Sequence, residues 1–108
     1  MRILRGILNE ELERSQRLLV SYAKMLERMP RGVLVQKKVR GRSFWYRAYR
    51  EKDKVIFKYL GKLGPEQIEK FQQERAKRKN IQKMAKEVKK QIIFIQRALH
   101  ERRRQNAL

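Results

Sequence analysis

The chain has 108 residues, 41% of them apolar, and sets 30 Lys and Arg against 11 Asp and Glu, a formal net charge of +19. That length suits one compact domain with a thin core and leaves no room for two ordinary ones. Cysteine is absent, which excludes disulfides and thiolate metal sites, and no run approaches the roughly 20 apolar residues of a spanning helix. "MRILRGIL" is too short and too broken by Arg5 and Gly6 for a signal peptide, so a soluble cytoplasmic protein is expected. A surface this positive attracts polyanions: nucleic acid first, then anionic membrane and acidic proteins.

A first helix is expected over 8–29. Asn9 reads as its N-cap, with Glu10, Glu11 and Glu13 placed against the positive helix end. Leu8, Leu12, Ser15, Leu19, Tyr22, Leu26 and Met29 recur in heptad spacing, and "MPRG" ends the pattern with a proline and a glycine.

Three strands follow in 33–62. "VLVQKKV", "SFWYRAY" and "KVIFKYL" are rich in β-branched and aromatic residues and are separated by turn-like gaps. Pairing the first two around Arg40 and Gly41 sets Val35 opposite Tyr46 and Gln36 opposite Trp45. The second gap, "REKDK", leaves its register open by two residues, but a slip of two keeps every side chain on its own face.

"GPEQIEKF" opens a second helix, with Pro65 at its first position and Glu66 in its first turn. It is expected over 65–103, roughly 58 Å, with "ERRRQNAL" frayed. Ile81, Ala85, Val88, Ile92, Ile95 and Leu99 form its apolar stripe; Arg75, Lys79, Lys83, Lys86, Lys90 and Arg97 gather opposite. The chain thus reads as a single α+β domain: N-terminal helix, three-stranded antiparallel β-meander and long C-terminal helix, the two helices pairing antiparallel. A homodimer through the helices satisfies the same stripes and would cover Ile93 and Phe94, which lie off them.

Alternation divides the sheet into two faces. Val33, Val35, Val39, Phe44, Tyr46, Ala48, Val55, Phe57 and Tyr59 share one, where Lys37 is the single charge among the strand positions. That face is expected to be the core, covered by Ile68 and Phe71. The other collects Leu34, Gln36, Lys38, Trp45, Arg47, Tyr49, Ile56, Lys58 and Leu60. Cations beside flat rings suit a polyanion whose bases stack or are read at their edges. The plain alternative is that long side chains merely shield an exposed sheet. Arg40, Arg42, Arg50, Lys52 and Lys54, at the hairpin tips, are candidate phosphate clamps. On the last helix Arg75, Lys79, Lys83, Lys86 and Lys90 extend the candidate surface, although a basic stripe is more often simply solvated.

The stretch 32–75, with Gly32, Gly41, "YREKDKV" and "KYLGK", resembles small basic bacterial and phage proteins. A similar strand-turn-strand pattern ending in "YLG" opens some insertion-sequence transposases. The layout of three strands and a helix is similar to the arm-type DNA-binding domain of tyrosine recombinases, whose sheet enters the major groove. The resemblance implies a reading face of Gln36, Lys38, Trp45, Arg47 and Lys58. Two departures stand out: "EKD" lacks the glycine of those recombinase hairpins, and the first helix has no counterpart there.

Catalysis has little material. His100 is the lone histidine, Asp53 the lone aspartate, and the serines have no adjacent base. Tyr46 or Tyr59 as a covalent nucleophile is outweighed by the commoner buried strand tyrosine. The expected function is therefore binding, not catalysis, with no cofactor, no metal and no membrane. The partner is DNA or RNA, in a bacterial or mobile-element setting. The alternative is a phage-encoded inhibitor or accessory factor docking on a ribonucleoprotein or nuclease such as a CRISPR effector. A ribosome-associated protein is a third reading.

Overall fold

The computed structural model describes residues 2–107, with side chains described for 2–101. Helix α1 is Arg2–Arg28, strands β1 Val33–Val39, β2 Arg42–Glu51 and β3 Lys54–Gly61 follow, and helix α2 is Pro65–Ala107. This is the α+β arrangement expected. The backbone divides into two compact units: α1 with α2 from Asn80 onward, and Met29–Lys79.

Helix α1 starts well before the expected Asn9. Leu4 and Leu8 carry the Leu12 stripe backward at four-residue steps, so an apolar seam already exists upstream of the asparagine. Asn9 is therefore an exposed interior residue and its capping role lapses. One glycine, Gly6, does not stop the helix, and a Cβ there would meet nothing within 4 Å. Gly6→Ala is expected to stabilise the chain by about 0.8–1 kcal/mol, the helix-propensity difference, readable as a rise in the thermal midpoint. At the other end α2 remains helical through Ala107, past the frayed end expected after Arg103.

The helical unit is an antiparallel hairpin. Tyr22 Oη donates a long bond to Met84 Sδ (3.9 Å), while Glu11 lines a groove with Glu87, Lys90, Gln91, Phe94 and Ile95. Its core is Ile81, Ala85, Val88 and Ile95 from α2, joined by Ser15, only 3% exposed. Among the described residues these are all the buried ones. Ser15 is a small residue within the α1 seam, and its side chain is enclosed there. Ser15→Leu would overpack this position and is expected to cost about 1–3 kcal/mol in urea unfolding. A neutral result would mean that the hairpin is open at its centre.

In the second unit the meander has strand order β1-β2-β3 and is antiparallel throughout. Val35 pairs with Tyr46 and Gln36 with Trp45, the register the sequence implies. Arg40 and Gly41, both at positive φ (52° and 79°), make the tight first turn. The second hairpin pairs Glu51 with Lys54 across Lys52 and Asp53, with Lys52 at φ 56° in place of a glycine. Tyr46 pairs with Tyr59 and Trp45 with Gly61, so Leu60 is the extra residue of a bulge closed by Gly61 at φ 82°. Helix α2 opens on a half capping box. Gln67 Oε1 accepts from the Gly64 N–H (3.0 Å), and the Ile68 N–H bonds the Gly64 carbonyl (3.1 Å).

The face expected as core is the more open of the two. Val33, Val39, Val55, Phe57 and Tyr59, read from sequence as core, are exposed; Phe57 and Tyr59 are 54% and 52% accessible. Val35, Phe44, Tyr46 and Ala48 on that face are half-buried, as are Trp45, Arg47, Tyr49, Leu34, Ile56 and Leu60 on the other. The entry segment shows why. Arg47 Nη1 donates to the Arg31 carbonyl (3.3 Å), Arg31 lies over the Tyr49 ring, and Arg78 of α2 donates to the Met29 carbonyl (3.3 Å). Ile68, Phe71, Glu74, Arg75 and Arg78 are the half-buried residues of this part of α2. The entry segment thus attends the Trp45 side, where amphipathic rings and an arginine stem fill space while keeping their polar ends wet.

Candidate nucleic-acid interface

The open side of the meander has a definite geometry. The register aligns Val35, Tyr46 and Tyr59 in one row across the strands, and Val33, Ala48 and Phe57 in the next. Tyr46 meets Tyr59 edge-on with centroids 5.3 Å apart, and Phe44 lies 6.3 Å from Tyr59 at a tilt. Such edge and tilted pairs hold the rings in place. Lys37 Nζ lies 5.0 Å from the Tyr46 centroid and 5.7 Å from that of Phe57, close enough for cation–π attraction to both. By strand parity Arg42, opposite Val39, and Arg50, opposite Val55, share this face, and both are exposed. The surface is an apolar, ring-rich platform with one ammonium within it and guanidiniums toward its ends.

The sequence-derived candidates separate into groups. Arg42 and Arg50 belong with the platform. Trp45, Arg47 and Tyr49 belong to the opposite side; Arg47 stacks over Tyr49 at 4.5 Å and serves the entry segment. Gln36 and Lys38 share that side near its open end, where Gln36 Nε2 donates to Ser43 Oγ (2.7 Å). Lys58 is exposed on strand β3, opposite Arg47. Arg40 and Lys52 occupy the two turns, and Lys54 starts β3; all three are exposed. On α2, half-buried Arg75 and exposed Lys79 fall in the sheet unit, whereas Lys83, Lys86 and Lys90 fall in the helical unit. Lys90 pairs with Glu87 at 3.5 Å, an exposed contact worth little.

The residues that sequence reasoning missed as surface are Lys37, Phe57 and Tyr59, which stand beside half-buried Phe44 and Tyr46. Their parity was correct, but the side of the sheet was not. Arg31 and Arg78 were missed because nothing in their local sequence marks them. Among the described residues no cluster of three or more His, Cys, Asp or Glu could hold a metal, and no helix is long and apolar enough to cross a membrane.

A family model described as a domain of unknown function, DUF6788, matches residues 8–70, more than half of the chain. The chain belongs to the DUF6788 family. The match takes in most of α1, the whole meander and the first residues of α2. Every ring of the platform therefore lies within the DUF6788 match, while Lys79, Lys83, Lys86 and Lys90 lie outside it. No curated protein and no solved structure matches the chain.

Proposed function

We propose that this protein binds nucleic acid through the open face of its meander, with bases stacking on Tyr59 and Phe57 and phosphates met by Lys37, Arg42 and Arg50. The observation that carries the reading is the pair of rings, each about half exposed, with Lys37 over the Phe57 ring, in a chain of net charge +19. Leaving such rings in water costs a protein solubility unless a partner covers them. Aromatic platforms in a positive field accept single strands because every base offers a π-face. The reading makes the protein a binding module, not an enzyme, and assigns it to the cytoplasm, which suits a cysteine-free chain. It also shifts the analogy with arm-type domains: the platform, and not the Trp45 side, would face the nucleic acid.

The test is titration with single-stranded DNA, RNA and duplex at two salt concentrations. Binding should tighten as salt falls, with a log–log slope of about −0.7 per phosphate on single strands and −0.9 on duplex. Absence of binding at low salt removes the proposal.

A second reading, an accessory factor or inhibitor docked on a ribonucleoprotein or nuclease, draws on the helical unit. Phe94 is 73% exposed and Ile93 lies beside it, also exposed. Partners retained from host lysate after exhaustive nuclease treatment, and lost in Phe94→Ser, would favour it.

A further inference from the structure

Three arginines serve the segment where the chain enters β1. Arg78 Nη1 donates to the Met29 carbonyl and Arg47 Nη1 to the Arg31 carbonyl, each at 3.3 Å. The guanidiniums of Arg31 and Arg47 both lie over the Tyr49 ring, 5.9 and 4.5 Å from its centroid. The bond to the Arg31 carbonyl engages one of the five N–H donors of Arg47 and leaves its charge uncompensated. Among the described residues neither Arg31 nor Arg47 forms an ion pair; the two pairs present, Arg14–Glu11 and Lys90–Glu87, belong to the helical unit. Burial, and then the charge of Arg31, draw the Arg78 guanidinium below its ordinary value. Arg31 and Arg47 thus share one ring, Arg31 exposed and Arg47 half-buried, and the charge of Arg31 is felt at Arg78.

We propose that Arg31 and Arg47, oriented by the Tyr49 ring and reinforced by the charge of Arg78, form a binding site for a phosphate group. Planar guanidinium forks engage tetrahedral oxyanions in bidentate fashion, and a shared aromatic flank restricts both planes in advance. A phosphate dianion relieves more of the mutual repulsion than one carboxylate. The group is either free phosphate or a phosphodiester of a polynucleotide. By parity Arg47 and Tyr49 lie on the side of the sheet opposite the aromatic platform, so the site does not depend on the platform binding bases.

The test uses the full chain with inorganic phosphate, against sodium chloride at equal ionic strength. Phosphate should raise the thermal midpoint of the wild type beyond the chloride control. Arg31→Gln, whose one described side-chain contact is the Tyr49 ring, should weaken phosphate binding about tenfold or more, the loss of one charge-assisted bond. Lys86→Gln removes the same charge from the helical unit and should leave the response within about twofold, because a screened exposed charge adds little. Arg31→Lys should restore only part of it. Equal losses in Arg31→Gln and Lys86→Gln, or no rise in the wild type, overturn the proposal. Tighter binding of phosphate than of an abasic phosphodiester oligomer identifies the free anion as ligand; the reverse order identifies the backbone. The phosphate response should survive Phe57→Ala, which separates this site from the platform.

Discussion

Gly32→Ala is expected to destabilise the protein by about 2–5 kcal/mol, a large part of the stability of an ordinary domain. Two effects add. Gly32 lies at φ 104°, where an L side chain is strained by about 1–2 kcal/mol. A Cβ there would also overlap the Ala48 carbonyl oxygen and come within 2.9 Å of Tyr49 Cβ, both on the neighbouring strand. Backbone cannot yield as a flexible side chain does, so the start of β1 must separate from β2, at a further cost of about 1–3 kcal/mol. Urea unfolding of Gly32→Ala beside Gly64→Ala is the measurement, since Gly64 has open space and no positive φ. A loss under about 1 kcal/mol for Gly32→Ala would mean that β1 and β2 do not approach as closely as this.

The second large effect concerns binding. Tyr59→Ala should weaken single-strand affinity about tenfold, and Phe57→Ala with Tyr59→Ala about a hundredfold, since each stacked base is worth about 1–3 kcal/mol. Stability should change little, because both rings already keep about half of their surface in water. Trp45→Ala should show the opposite profile. Its ring is half-buried on the opposite side, so truncation lowers the unfolding midpoint and alters affinity mainly through the folded fraction. Fluorescence-anisotropy titrations with thermal scans on the same variants separate the two. If Trp45→Ala loses affinity at full stability while Tyr59→Ala binds normally, the reading face is the other one.

That contrast marks what the sequence makes legible. Elements, order and the first hairpin register follow from alternation, from Pro30 and Gly32, and from the turn at Arg40 and Gly41. The stripe from Ile81 to Leu99 correctly marks the α2 side of the hairpin core. The upstream reach of α1 was hidden by Asn9, whose capping preference is local and weaker than the continuing Leu4–Leu8–Leu12 seam. The exposed side of the sheet was hidden for a different reason. Both faces mix apolar and cationic residues, and counting charges favoured burial of the face holding only Lys37. Where the chain enters β1, and where α2 returns with Arg78, are long-range facts that no strand states. Arginine and tryptophan are also compatible with a covered face, because their stems and rings pack while their polar ends reach oxygen acceptors.

Among the described residues, no member of Met29–Lys79 is fully enclosed; every enclosed side chain lies between α1 and the distal part of α2. Amide exchange should therefore proceed in two tiers. Protons of the three strands would trade with solvent through sub-global openings, well below the cost of global unfolding. Those near Ser15, Ala85 and Val88 would wait for the whole molecule to come apart. A segment so lightly held is free to be ordered by whatever lands on it, and a ligand would register there first as slowed exchange.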